Sequence, residues 1–414
     1  MNEKDRVRDY LAEIPNYLSV FIFSIFFNLA SPILLEISKS TKILVVNLGL
    51  IFTFFTIGAA LGQLTSVFYN RKFKKIQVVV AGYILIIPLI ILLPMTAVFA
   101  FNPLVTQIIF WLVYAIGGYI LGVIWIQANQ FVLTGKIKNK DRLLTIFLTF
   151  YPIGAFTAPF ISSAIVGSGL SWMFIYYIVI FLISINIILY ILIFGRKIEN
   201  TLVQNEAKIS LKEVFASKTN NLLFIIIAIS IIFYCSSETI VATWAPTFFE
   251  TARALPFQSA SFTLNLFWLF IIIGRIVALI LEGRIKSIKI LITISILAIA
   301  SMSVASFVYS KYLIFVFIAL AGLGYSAMFP LLISIGSTLY EKGRGILATF
   351  LFLSSNIGVT SAPIIIKYSS KLSSSITLAF SFILMAFVTI MLLLILYLLK
   401  RKNNTLTDEN NVTL

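Results

Sequence analysis

Glu238 lies in the stretch "SSETIVATW", Ser236 to Trp244, with no charged residue upstream as far as Lys218 and none downstream before Glu250. Arg275, in "GRIVALILEGRIKS", is the second charge set well inside an apolar run. A charge in lipid is expensive, so each of these side chains must face a cavity or a partner. A carboxylate so placed can take up and release a proton, pair with a cationic group, or hold helices together. A guanidinium can bond the carbonyls left free at helix ends. A third group is Trp125, Gln127, Asn129 and Gln130. Gln127 and Gln130 are three residues apart, and Trp125 and Asn129 four, so the indole and the amides fall on adjacent faces of a helix. Together they could stack on a sugar ring and hydrogen-bond its hydroxyls; the plainer use is amide bonding between helices. Asn28, Tyr151, Trp244, Asn265, Trp268, Tyr325 and Asn356 are further polar or aromatic candidates in apolar runs. The single cysteine, Cys235, reads as a small buried hydrophobe. With no histidine in the chain, a histidine metal site or proton relay is excluded. No cofactor or metal is expected.

The elements that carry these residues follow from composition. Of the 414 residues, 60% are hydrophobic and 11% charged, which leaves too little polar surface for a soluble domain and points to a multi-pass membrane protein. The net charge of +16 does not signal nucleic acid, because Lys and Arg gather in short clusters at alternate loops. The first apolar run, from about residue 14 to 35, has no small-residue cleavage site and reads as a membrane helix rather than a leader. A helix needs about 20 apolar residues to cross the hydrocarbon. Twelve such runs occur, at roughly 14–36, 43–69, 77–98, 104–134, 143–167, 171–194, 221–248, 257–282, 288–309, 312–340, 345–367 and 373–399. Their continuity favours helices over barrel strands. With the N-terminus inside, 24 basic residues fall in inner segments and 6 in outer ones, so both termini are expected in the cytoplasm of a bacterial inner membrane. The expected organisation is an N-terminal six-helix half over 1–194, a charged cytoplasmic loop over 195–220, a C-terminal half over 221–399 and a disordered tail over 400–414. At about 1.5 Å per residue, Glu238 lies roughly 6 Å to the outer side of the midplane and Arg275 roughly 8 Å to the inner side. No direct ion pair is expected across that gap of roughly 14 Å.

The two halves repeat. "IGAFTAP", Ile153 to Pro159, and "IGVTSAP", Ile357 to Pro363, share Ile, Gly, Ala and Pro at an offset of 204. Gly122 and Gly324, and Arg142 and Arg344, match at 202; Pro32 and Pro246, and Glu36 and Glu250, at 214; Gly58 pairs with Gly274. Gly, Pro and charge matches at nearly constant offsets are hard to obtain by chance among apolar strings. The repeated Gly-x-x-Thr/Ser-Ala-Pro segments are expected to allow close packing and bending at the interface that moves. Twelve helices, a charged central loop and this repeat resemble the major facilitator superfamily over nearly the whole chain. The usual loop signature after span 2 is degraded: "GQLTSVFYNRKFKK" keeps Gly62 and the basic cluster but has Ser66 in place of the acid. "SSETIVATWAPTFFE", "GRIVALILEGRIKS" and "ALAGLGYSAMFP" are most similar to the fucose:proton symporters and their relatives.

That resemblance implies an all-α fold of two pseudo-symmetric six-helix halves, rocking around a midplane site with spans 1, 4, 7 and 10 lining the cavity. On this reading Asn28, Trp125, Gln127, Asn129, Gln130 and Tyr325 bind a small polar solute, Glu238 couples a proton, and Arg275 braces the cytoplasmic gate through helix-end carbonyls or Glu282 or Glu341. Ala128-Asn129 resemble part of the fucose-type span 4 motif, but its following Pro is Gln130 here and its acid falls on Trp125. The span 1 acid is missing too, so either Glu238 has taken the proton role or transport is not proton-coupled. The leading expectation is a monomeric secondary transporter of a small polar solute, such as a sugar, with membrane lipids around it and protons as coupling ions. The alternative is a drug or metabolite exporter of the same fold. An enzyme would need paired acids or histidine clusters, which the apolar runs lack, and an ATP-driven pump a nucleotide motif.

Overall fold

The computed structural model describes residues 13–70, 73–99, 101–134, 140–194, 218–281, 284–339 and 344–412. Most of the expected central loop, with Glu282 and Glu341, lies outside the described residues. Eleven helices among those described are long and apolar enough to cross a membrane, and a bent pair, Ile14–Asn28 and Ala30–Thr41, makes a twelfth span. The apolar runs become helices because a backbone in lipid must satisfy its own hydrogen bonds.

Two of the breaks in these helices lie beside prolines. Span 1 bends by 41° between its two pieces, where Pro32 has no N–H to offer the Asn28 carbonyl one turn back. Span 2 opens with the short turn Val45–Leu48 before Ile51–Asn70. Span 4, Pro103–Thr134, and span 7, Lys218–Ala252, are continuous. Span 10 is not the unbroken helix the sequence suggests. It comprises Lys311–Tyr325 and Met328–Thr338, with Ala327 at φ −105°, ψ 2° between them. Pro330 is the reason: its missing N–H would have closed the ladder onto Ser326. The last helix, Ala379–Val412, takes in most of the tail expected to be disordered. No Gly or Pro interrupts the chain there, and extending an existing helix is far easier than starting one.

Packing reproduces the sequence repeat. Span 1 packs on 5, 2 on 4, 3 on 4 and 6, and 1 on 6. In the second half, 7 packs on 11, 8 on 10, 9 on 10 and 12, and 7 on 12. Each pairing maps onto its partner by adding six. The halves meet where span 5 touches 8 and span 2 touches 11, with span 1 against 7 at the end away from the termini. Close approach inside a half depends on missing side chains. A Cβ at Gly62 would stand 2.1 Å from the Tyr119 carbonyl oxygen, so spans 2 and 4 pack backbone to backbone, as small residues permit in membranes.

The repeated Gly-Pro segments work on two faces, inside each half as well as at the interface between the halves where the sequence reading expects them. Gly154 faces the Phe21 carbonyl of span 1 and Gly358 the Ile232 carbonyl of span 7, both inside a half. The other face bridges the halves. The Phe156 carbonyl accepts from Asn265 Nδ2 of span 8 at 2.9 Å, and the Thr360 carbonyl from Thr53 Oγ1 of span 2 at 3.0 Å. Phe156 and Thr360 are themselves related by the offset of 204.

Candidate functional site

At the middle of the seam the two halves bring different chemistry together. The first half presents rings. Trp125 of span 4 makes edge contacts with Phe23 of span 1 at 4.9 Å and with Tyr151 of span 5 at 6.2 Å between centroids. Tyr151 in turn meets Trp268 of span 8, across the seam, at 6.1 Å. Asn28 neighbours Tyr151. Its Nδ2 donates to the Ser24 carbonyl at 2.9 Å, while its Oδ1 is buried without a partner. Trp268 Nε1 is likewise buried and unpartnered.

The second half presents charge. Glu238 of span 7 is partly exposed, unlike its buried neighbours Ser237 and Thr239, so its carboxyl opens onto space between helices. Arg275 and Tyr234 are among its neighbours, as is Tyr151 of the opposite half. No ion pair within 4.0 Å joins Glu238 to Arg275 among the described residues. Arg275 instead donates Nε–H to the Ser326 carbonyl at 3.1 Å. This is the acceptor that Pro330 strips of its helical donor. Tyr234 donates its hydroxyl to the adjacent Tyr325 carbonyl at 3.0 Å. Two buried carbonyls freed by the span 10 break are thus capped by side chains that also bear on Glu238. Gly274 makes this possible, since a Cβ there would stand 2.4 Å from Ser326 Oγ.

The sequence-predicted residues are sorted accordingly. Asn28, Trp125, Glu238 and Arg275 converge, joined by Tyr151 and Trp268. Arg275 does bond a helix-end carbonyl, but at the break inside span 10. Trp125 and Gln127 do not form one surface. They are two residues apart, so about 200° around the helix, and Trp125 faces spans 1 and 5. Gln127 is fully buried with neither amide atom partnered. Asn129 follows Trp125 by one turn, with its Oδ1 buried and unpartnered, and Gln130 is only partly buried. Tyr325 is fully buried, its hydroxyl held by Ser237, whose Oγ also donates to the Ser381 carbonyl at 2.6 Å. That places Tyr325 in a structural network. Asn356 bonds Gln63 across the seam at 3.2 Å, and Trp244 lies beside Gly49. The sequence reading missed Tyr234 and the cap on span 10. Both left a signal: Tyr234 is one turn before Glu238, and Pro330 is four residues after Ser326.

At the end away from the termini, Lys39 Nζ pairs with Glu36 at 2.7 Å and lies 3.9 Å from Glu250 of span 7. The repeat-related pair Glu36 and Glu250 thus shares one cation.

Comparison with known proteins agrees with this architecture. The chain is 21% identical over 360 residues to a protein TsgA homolog of Buchnera aphidicola subsp. Baizongia pistaciae (strain Bp), covering 85% of this chain and 88% of that one. Among solved structures, the nucleoside transporter NupG superposes with a TM-score of 0.70 at 14% identity, covering 95% of this chain and 99% of that one. A D-xylose–proton symporter gives 0.69 at 12%, covering 92% and 97%. A bacterial homolog of the lysosomal transporter Spinster, inward-facing and unoccupied, gives 0.69 at 12%, covering 96% and 99%. These structural likenesses show the shared fold and leave the narrower resemblance to fucose:proton symporters open. The Major Facilitator Superfamily model matches residues 17–358, and the chain belongs to that family: it is a multi-pass membrane transporter, not an enzyme.

Proposed function

We propose that this transporter moves a small polar solute, a sugar or a nucleoside, by rocking its halves around the site between Asn28, Trp125, Asn129, Gln130, Tyr151, Trp268 and Glu238, with Glu238 carrying a coupled proton. The observation that supports this most is the placing of Glu238: a partly exposed carboxylate inside the membrane, near Tyr151 of the other half, with no ion pair to it among the described residues. Aromatic rings with unpartnered amide and indole groups suit a ring-shaped solute that is both stacked and hydrogen-bonded. Fold relatives that carry nucleosides and xylose put those solutes first in the panel to be tried. The clustering of basic residues supports an orientation with both termini in the cytoplasm, and the bacterial relatives and fold neighbours suit an inner-membrane location.

The test is purified protein in liposomes against a sugar and nucleoside panel, with and without a pH gradient. Glu238→Gln keeps shape and hydrogen bonding but cannot titrate. Gradient-driven accumulation should vanish while solute exchange, which needs no net proton movement, survives. Full accumulation in this variant overturns the coupling role. A second reading, export of cationic aromatic compounds, is favoured by the cluster of Phe23, Trp125, Tyr151 and Trp268 beside one carboxylate. Including a cationic dye in the panel separates the two: under this reading Glu238→Gln lowers accumulation and exchange of the dye together.

A further inference from the structure

Away from the central site, the seam between spans 5 and 8 opens sideways into a crevice of about 400 Å³. One wall is Phe160 of span 5; the other is Phe262 of span 8 and Phe315 of span 10. Phe160 and Phe262 are exposed, and on a membrane-spanning bundle that means exposed to acyl chains. The rim is polar. Lys311, the first residue of span 10, and Gln258, the second of span 8, stand at the end of the bundle away from the termini. Lys311 Nζ lies 5.7 Å from the Phe315 ring centroid, and no carboxylate pairs with it among the described residues. Gln258 reaches over Gly167, where a Cβ would stand 2.7 Å from its Nε2, so its amide spans the seam. Asn265, which ties the seam to Phe156, is seven residues deeper than Gln258, or about 10 Å at 1.5 Å per residue.

We propose that this crevice is a phospholipid site. The headgroup phosphate sits on the Lys311 ammonium and the Gln258 amide, at the level where helices leave the hydrocarbon. An acyl chain lies along the three phenylalanines and reaches toward Asn265. The dimensions and the order of groups fit one occupant: a cation and an amide at the surface, then about 10 Å of aromatic wall. The unpaired lysine sets a preference for anionic over zwitterionic lipid. Because Phe160 and Ala164 belong to one half and Gln258, Phe262, Lys311 and Phe315 to the other, the lipid bridges the halves and holds the seam as it stands here. This inference does not depend on the solute or on Glu238.

Native mass spectrometry of the full chain in detergent, with equal dioleoylphosphatidylglycerol and dioleoylphosphatidylcholine, tests it. One basic residue at a membrane surface is worth about fivefold in anionic lipid attraction, so phosphatidylglycerol adducts should predominate by about that factor. Lys311→Gln should bring the ratio to about one, whereas Lys371→Gln, another exposed lysine at the same end, should leave it unchanged. Ala164→Phe fills the crevice from an exposed position and should remove retained lipid of both kinds. A preference absent from the unaltered chain, retained in Lys311→Gln, or lost equally in Lys371→Gln overturns the proposal, as does undiminished retention in Ala164→Phe.

Discussion

Span 4 runs unbroken from Pro103 to Thr134, while span 10, its counterpart in the repeat, breaks at Ser326–Ala327. The offset that pairs Gly122 with Gly324 puts Ala128 opposite Pro330 and Ile124 opposite Ser326. The pairing of Gly58 with Gly274 puts Ala59 opposite Arg275. So the half with the proline has the arginine that caps the freed carbonyl, and the half without the proline has alanine in both places. Break and cap go together. The same half holds Glu238, whereas the first half brings rings and neutral amides to the seam. One half brings aromatic rings to the seam; the other holds a carboxylate next to a broken helix.

The largest expected effect comes from imposing the break where no cap exists. Ala128→Pro in span 4 should destabilise the protein by about 3 kcal/mol or more, because it frees the buried Ile124 carbonyl with Ala59 unable to donate. Near-normal yield and thermal stability of this variant would end the argument that break and cap are linked. Next is removal of the cap itself. Arg275→Leu leaves the Ser326 carbonyl buried and unpaired, which costs about 1–3 kcal/mol, and takes away the cation that acts on Glu238. Thermal stability and transport should both fall. Adding Pro330→Ala to Arg275→Leu returns an N–H to Ser326 and should recover the stability while transport stays low. Recovery of both would reduce Arg275 to a cap.

How much of this was legible in the sequence depends on whether the signal was local. Twelve spans, their order and the two-half repeat rest on continuous apolar runs and on Gly and Pro offsets, and the packing pairs reproduce them. Glu238 and Arg275 stood out because a charge in an apolar run has few structural uses. Tyr234 did not, since tyrosine is ordinary in such runs and its role depends on a carbonyl 91 residues away. The span 10 break was written in Pro330, but a proline in a membrane helix can bend it, break it or leave it straight, according to what caps the freed carbonyl. Gln127 looked like a partner of Trp125 because both belong to one cluster of polar and aromatic residues; two residues apart, they lie about 200° apart around the helix.

Smaller effects should come from the two hydrogen bonds that tie the halves symmetrically. Asn265→Leu and Thr53→Val each delete a donor to a proline-containing helix, and each should lower stability by about 0.5–1.5 kcal/mol. The two sites are in different interfaces, so in the double variant the losses should add. If the halves rock as units, either change alone should alter the rate of solute exchange. Exchange unchanged in both single variants and in the double would mean that these bonds do not oppose the motion.

The smallest effect is expected at Lys39. Glu36 and Glu250 are equivalent in the repeat, yet only the first half supplies a lysine to hold them. Its ammonium is tightly paired with Glu36 of its own half and lies 3.9 Å from Glu250 of the other, and its side chain is 59% exposed. Exposed pairs contribute about 0–1 kcal/mol, so Lys39→Gln should barely change thermal stability. What it should change is how readily the halves part at this end, because two carboxylates then face each other with nothing between them. A cysteine at Gly49, beside Trp244, with Cys235 replaced by Ala, reports that parting through its rate of labelling. Lys39→Gln should speed labelling by about two- to fivefold at low salt. At 1 M salt, where the screening length is about 3 Å, the difference should disappear. An increase that persists at high salt would show that Lys39 acts by filling space rather than by charge, and no increase at low salt would show that Glu250 owes its place to span 7 alone.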